Sequence, residues 1–241
     1  MNGSNRCVAL LPMKANSQRV EGKNFRALHG RPLFRWILDS LLAIPAIDEI
    51  VINTDARHIL AARGLVDNTA RGGRIRIRDR KPALVGDTVS MNRIIEDDIA
   101  HVAADAYLMT HATNPMLASA TISAALARYR QGVMEGTADS LFTVNRIQTR
   151  FYRADGSPVN HDPDRLVQTQ DLEPWFEENS NLYIFSRASF AATRARIGRR
   201  PILHQMDRLE AIDIDTPADW DMAEALARMA DARTAETREP A

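Results

Sequence analysis

The chain has 241 residues, 45% of them hydrophobic, and its 31 acidic and 31 basic side chains cancel to a formal charge of zero. One sizeable core, or a core plus a small satellite, and one main domain are expected at this length, and the charge balance excludes a polybasic nucleic-acid or membrane-surface binder. The lone Cys7 excludes an internal disulfide, and the polar start with a short apolar run after it offers neither a signal-peptide core nor a membrane span, so the expected location is the cytoplasm.

Cys7 to Leu11 is a continuous apolar run, expected as a buried parallel strand, and Pro12 removes an amide donor where it should close. The segment from Lys14 to Asn24 follows, with Lys14, Arg19 and Lys23 as cations, the amides of Asn16 and Asn24, the Ser17 hydroxyl and Gly22. Only three lysines occur in the chain and two of them flank this segment. Compact ammonium charges and a glycine that permits close backbone approach suit phosphate oxygens, and open α/β sheets bind ligands at the carboxyl ends of their strands. A solvated basic loop is the plain alternative.

Pro32 to Ala43 carries an apolar stripe at helical spacing, Glu49 to Asn53 reads as a second strand, and Thr54-Asp55 is placed to cap a helix from Ala56 to Arg63. A basic strand is expected near Arg74 to Ile77, a loop through Pro82 and Gly86, and a helix from Val89 to Ala103 holding a structural His101. Ala106 to Met109 is the next buried strand, with Thr110 to Pro115 as its exit loop. A helix over Ser119 to Tyr129 and a strand over Ser140 to Val144 complete a βαβ rhythm. The rhythm breaks between Asn145 and Ser180, a polar excursion with a turn signal at Asp155-Gly156, expected to form a lid or a dimer contact. Leu182 to Phe185 restores a core strand and Ala211 to Asp215 is expected as the last one. Thr216 and Pro217 open a final helix to about Met229, so one domain spans 1–229 and a frayed tail 230–241.

Asp213 and Asp215 lie two residues apart on that last expected strand, which puts both carboxylates on one face and Ile212 and Ile214 on the other. Magnesium is held by one or two carboxylates plus substrate phosphates, and a metal pair beside a cationic loop implies a nucleoside triphosphate. Helix-capping acids are the alternative. No G-x-x-x-x-G-K-[ST] run and no glycine-rich dinucleotide fingerprint occurs, which leaves a nucleotidyltransferase.

From Lys14 through Phe25-Arg26-Ala27-Leu28-His29-Gly30-Arg31-Pro32-Leu33 the chain resembles the start of the acylneuraminate (CMP-sialic acid synthetase) cytidylyltransferases. Asn53-Thr54-Asp55 is similar to that family's S-T-D, Arg80 with Pro82 to Thr88 to its R-P-x-x-L-x-x-D-T, Thr113-Asn114-Pro115-Met116 to its T-S-P-L, and Asp213 to Thr216 to its D-I-D-T. The resemblance implies an α/β, Rossmann-like nucleotidyltransferase (GT-A-like) fold with a mostly parallel sheet. It further implies CTP and Mg²⁺ as co-substrates, a homodimer with an inserted hairpin, and CMP transfer to an acidic sugar with loss of pyrophosphate.

By the same resemblance Lys14, Asn16, Ser17, Arg19, Lys23, Asn24, Arg80 and Asp87 would bind the nucleotide, with Arg80 at the cytosine. Asp213 and Asp215 would carry the metal, and Lys14, Lys23 and both acids the catalysis. His111, Thr113, Asn114, Arg150, Arg165 and Asn181 would meet the acceptor. The sialate enzymes carry arginine at Lys14, glutamine at His111 and a further arginine near Thr169, for which Arg165 is the substitute. These departures leave a phosphonate as an alternative acceptor, and UTP or ATP as alternative nucleotides. A catalytically inactive nucleotide-binding protein is the non-enzymatic alternative. His111 can serve as a general base or anion contact, because histidine titrates near neutrality, and a hydrogen-bonded loop histidine is the equal alternative.

Overall fold

A computed structural model describes residues 5–17 and 19–236. It begins with β1 (Cys7–Leu10), whose side chains are all buried, as expected for a strand covered on both faces. Pro12 does not end the pairing: Leu11 and Met13 donate to the carbonyls of Val51 and Asn53 at 2.9 and 3.0 Å. The chain then forms the cationic loop and a small antiparallel ribbon, β2 (Ala27–Leu28) with β3 (Arg31–Pro32). His29 and Gly30 turn that ribbon with φ of 47° and 77°, the two positive values a tight two-residue hairpin requires.

The first helix, α1 (Leu33–Leu42), starts directly after Pro32 and buries Leu33, Phe34, Ile37, Leu38 and Leu41. β4 (Glu49–Thr54), α2 (Arg57–Ala62), β5 (Ile75–Asp79), α3 (Met91–His101) and β6 (Ala106–Thr110) continue the alternation. Asp55 does not cap α2. Its carboxylate accepts from the Ala15 amide at 2.7 Å and steadies the cationic loop instead.

After α4 (Ser119–Met134) come β7 (Ser140–Ile147), β8 (Trp175–Phe185), α5 (Arg187–Thr193), β9 (Pro201–Gln205) and α6 (Pro217–Glu236). Seven strands form one sheet in the order β5-β4-β1-β6-β8-β7-β9. Pairing is parallel except on both sides of β8, so the sheet is mostly parallel with one reversed strand. The strand path runs outward from β1 through β4 to β5, then returns to place β6 on the other side of β1. The crevice between the carboxyl ends of β1 and β6 is therefore a topological switch point.

Residues alternating along β1 separate two cores. Cys7, Ala9 and Leu11 pack with α1, α2 and α4, whereas Val8 and Leu10 pack with Ile95 and Ile99 of α3 and Phe190 of α5. Burial pushes the Cys7 thiol up to about 12, which leaves it an inert core side chain.

Three further expectations change. Ala211 to Asp215 is not a strand: the outer edge of β7 is already taken by β9, in parallel register from Ser140 with Pro201 to Val144 with Gln205. Proline at the head of an edge strand is tolerated because no ladder donor is needed there. The excursion is narrower than 145–180, since β7 and β8 continue outward as a paired ribbon to Ile147 and Trp175. The register shifts between Phe142 and Val144, where Ser180 takes φ of 56° and Thr143 accepts the Leu182 amide at 3.0 Å. Finally, α6 runs past Met229 to Glu236, where the alanines, Arg233 and Glu236 favour helix enough to carry Asp231 and Thr234, while 237–241 lie outside the described residues.

Candidate active site

The loop and the acids are 190 residues apart in sequence, and a third, small apolar cluster joins them. Val20 of the loop, Leu28 of the ribbon and Leu33 of α1 pack with Ile212, Ile214 and with Trp220 and Ala223 of α6. Arg26 also lies over the Trp220 ring at 4.3 Å. Burying side chains of this size stabilises by roughly 1.5–3 kcal/mol each, enough to hold the two segments together. Ile212 and Ile214 thus point inward and Asp213 and Asp215 outward, as alternation predicted, although no ladder enforces it.

Specific hydrogen bonds replace the ladder. The Ile214 amide donates to the Thr113 carbonyl at 2.9 Å, Asn114 Nδ2 to the Ile212 carbonyl at 3.4 Å, and Asn181 Nδ2 to the Ala211 carbonyl at 3.1 Å. Thr216 and Asp219 cap α6 reciprocally, the Thr216 amide donating to Asp219 at 2.7 Å and the Asp219 amide to Thr216 Oγ1 at 3.3 Å. Asp215 therefore has no capping duty. Its Oδ1 faces Lys23 Nζ at 3.2 Å and its Oδ2 faces Arg19 at 2.9 Å.

Lys23 is the anchored cation of the loop. Gly22, with φ of 58°, turns the chain into a single 3₁₀ turn over Lys23 to Phe25, and the ammonium donates to the Ile214 carbonyl with a side chain only 11% exposed. Lys14 is the exposed counterpart, 42% exposed and paired with Asp87 at 2.5 Å. Asn24 Nδ2 ties the loop to itself through the Lys14 carbonyl at 2.9 Å.

These residues wall a cavity of about 430 Å³ at the switch point. Small-molecule sites run from roughly 300 to 1,000 Å³, so the volume admits a nucleotide-sized ligand. Lys14, Ser17, Arg19, Lys23 and Asn24 line it from the loop, Arg80 and Asp87 from the β5–α3 connection, His111 and Thr113 from the end of β6, and Asp215 from the opposite side. The sequence reading did not single out the apolar wall, which includes Val89, Met91 and Ile94. Their spacing marked them only as a helix.

Asp213 stands just behind Asp215, half-buried and bonded to Thr113. Burial and the negative charge of Asp215 hold its carboxyl above the usual range, against Thr113 and Lys23. Its buried Oδ1 has no hydrogen-bond partner among the described residues. An orphaned carboxylate oxygen beside a second carboxylate fits a divalent cation. No cluster of three or more His, Cys, Asp or Glu side chains forms among the described residues, so this pair would depend on substrate oxygens to complete a coordination shell.

His111 corrects its expectation. It is pushed down to about 3, first by burial and then by the Arg196 and Lys23 cations. It is neutral at pH 7 and meets a ligand as a hydrogen-bonding ring, with no positive charge for an anion. Arg196, which the sequence did not flag, lies over the Tyr183 ring at 4.0 Å and donates to its hydroxyl at 3.1 Å. Only the pairing of β6 with β8 brings it near His111.

Other candidates fall outside the cavity wall. Asn114 and Asn181 are buried beneath it, holding the backbone of the acid segment. Asn16 is exposed beside it. Arg150 donates to the Val167 carbonyl at 2.5 Å and Arg165 is exposed, both on the outer ribbon away from the cavity.

The family model described as cytidylyltransferase matches residues 8–237. The chain belongs to the cytidylyltransferase family. This nucleotidyltransferase is 27% identical over 234 residues to the CMP-N,N'-diacetyllegionaminic acid synthase of Legionella pneumophila, covering 92% of this chain and 96% of that one. It is 25% identical over 224 residues to the N-acylneuraminate cytidylyltransferase of Oncorhynchus mykiss, covering 90% of this chain and 49% of that protein, so it spans about half the fish enzyme's length. The acylneuraminate resemblance read from the motifs holds.

Two solved structures share the fold. A CMP:2-keto-3-deoxy-manno-octonic acid synthetase complexed with CTP aligns with a TM-score of 0.65 at 16% identity, over 93% of this chain and 99% of that one. A 4-diphosphocytidyl-2C-methyl-D-erythritol synthase from Anaerococcus prevotii aligns with a TM-score of 0.64 at 13% identity, over 93% and 97%. Among the described residues no helix is long and apolar enough to cross a membrane.

Proposed function

We propose that this cytidylyltransferase activates a keto-sugar acid of the nonulosonic type, transferring CMP from CTP with release of pyrophosphate. The observation that carries this is the meeting of Lys23 and Arg19 with Asp215, and of Asp215 with the orphaned Asp213, at the switch point of the sheet. The near full-length likeness to a legionaminic acid activating enzyme supports the acceptor class.

In this reading Arg80 faces the cytosine, and Lys14, Ser17, Arg19, Lys23 and Asn24 hold the triphosphate, with Asp87 and Asn16 flanking it. Asp213 and Asp215 would hold Mg²⁺, which when bound offsets charge on the α-phosphate. The acceptor's hydroxyl oxygen forms a bond to the α-phosphorus as the bond to the β-phosphate oxygen breaks, and the hydroxyl proton passes to solvent. Arg19 and Lys23 exchange Asp215 for phosphate oxygens and stabilise the departing pyrophosphate. Thr113 orients Asp213, and neutral His111 offers a hydrogen bond to an acceptor hydroxyl. Two copies associate through the outer ribbon, where Trp175 and Phe176 are 40% and 46% exposed, bringing Arg150 and Arg165 toward a neighbouring site.

The test mixes the full chain, CTP and Mg²⁺ with nonulosonic acids, eight-carbon keto-sugar acids and phosphonates, and follows pyrophosphate. Turnover is expected with a nonulosonic acid. Turnover only with a phosphonate would replace the acceptor class, and CTP binding without turnover on any acid would restore the inactive alternative.

A further inference from the structure

Behind Arg80 runs a line of buried hydrogen bonds that lies outside the cavity. Arg80 Nε donates to Asn53 Oδ1 at 3.0 Å, and one terminal nitrogen donates to the carbonyls of Asn53 at 2.8 Å and Met13 at 3.1 Å. Asn53 is fully buried, and its Nδ2 donates to Asp98 Oδ1 at 2.8 Å. Asp98 sits on α3 with a side chain 1% exposed and also receives a bond from Arg78, while Arg78 and Lys81 both pair with the neighbouring Asp97. Buried ion clusters are an inefficient source of stability, because desolvation offsets most of the attraction. This one supplies direction.

The direction follows from the chemistry of an amide. Asn53 has a donor end and an acceptor end, and which end faces which way is set by its partners. Asp98 Oδ1 accepts from both Asn53 Nδ2 and Arg78, so it holds Nδ2 toward α3 and leaves the Asn53 Oδ1 facing Arg80. Without that acceptor the amide is free to turn its NH₂ against a guanidinium that also only donates. The orientation of Arg80 matters for the base because cytosine offers N3 and O2 as adjacent acceptors, whereas uracil has an N–H in the N3 position. The terminal nitrogen that the bonds to Asn53 and Met13 leave over, Nη1, separates the two when it is aligned and does not when it is misaligned.

We infer that Asp98, acting through the Asn53 amide, is a positioning residue that orients Arg80 and thereby sets the preference for CTP over UTP. This rests on the reading of Arg80 as the base contact. The test is isothermal titration of the full chain with CTP and with UTP, both with Mg²⁺, in wild type, Asp98→Leu, Asn53→Ser, Arg80→Met and the double variants, with melting temperature as the check on folding. Asp98→Leu, whose side chain accepts no hydrogen bond, is expected to weaken CTP binding about tenfold and UTP binding less than about twofold, a change typical of one lost hydrogen bond to a charged group. Asn53→Ser serves if Asp98→Leu does not fold and is expected to act in the same direction. Neither is expected to change binding further in the Arg80→Met background, because coupled residues are not additive.

Equal weakening of CTP and UTP, or additive weakening in the double variants, would make Asp98 merely structural and overturn the inference while leaving Arg80 as the base contact. Wild-type selectivity retained in Arg80→Met would remove the reading beneath it as well.

Discussion

The cationic loop and the outer ribbon leave the same edge of the sheet, yet they are built by different rules. The loop departs from β1, the ribbon from β7, and both strands point the same way. The loop is fixed at several points within a few residues: Ala15 to Asp55, Asn24 to Lys14, Lys23 to Ile214, Val20 in the apolar cluster. The ribbon is held by its own hairpin and by turns, with Leu166 82% exposed and Arg165 open to solvent. The loop's side chains are therefore tied to the sheet and to the acid segment, whereas those of the ribbon are held mainly by one another, as where Phe151 stacks on Trp175 and Gln148 donates to the Leu172 carbonyl.

Removing the acids should break the loop side hardest. Asp215→Ala and Asp213→Ala are each expected to lower pyrophosphate release on the order of a thousandfold, about 4 kcal/mol of transition-state stabilisation. Undiminished turnover in both would end the assignment of the cavity as the reacting site.

The two lysines sharpen the same contrast. Lys23→Met should lower kcat/KM about a hundredfold and also the melting temperature, because a buried charged hydrogen bond to the Ile214 carbonyl is lost at a cost of about 1–3 kcal/mol. Lys14→Met should cost only about tenfold in KM for CTP and leave melting unchanged, since exposed ion pairs contribute about 0–1 kcal/mol. Equal effects on melting would contradict the anchored and exposed roles.

His111 gives a smaller, pH-dependent effect. Its unfolded value is 6.5 and its folded value about 3, so below pH 6.5 the unfolded chain binds more protons and stability falls as the pH drops toward 3. The wild type should lose more melting temperature between pH 7.5 and 5 than His111→Gln. Identical losses would deny the ring its buried, neutral state.

The ribbon variants should matter least for the nucleotide. Arg150→Ala and Arg165→Ala are expected to leave the CTP dissociation constant within about twofold, as surface substitutions away from a site do. A rise in acceptor KM alongside an unchanged CTP constant would place the ribbon at the acceptor, and equilibrium sedimentation would then show whether a second copy brings it there.

Residues directly after a strand were legible because one rule, ligands at the carboxyl ends of a parallel sheet, places them. That rule caught Lys14, His111 and Thr113. Asp213 and Asp215 were found for a reason that was only half right: their side chains alternate as on a strand, but the Thr113 and Lys23 contacts hold them in place of a ladder. Asn181 carried the right neighbourhood and the wrong duty, since its amide supports the Ala211 carbonyl from below. Arg196 and the Asp98 to Asn53 link carried no local signal at all.

The sequence by itself determined the alternating elements and the residue types that line the strand ends, because periodicity and strand-end chemistry are local properties. Tertiary structure alone decided that β9, with Ser140 to Val144 as its partners, displaces the acid segment from the sheet edge. It also decided that Ile214 and Val20 share one apolar cluster and that burial and nearby cations push His111 down. Each of these depends on strand pairing, packing or charges brought close by folding, which no spacing along the chain records.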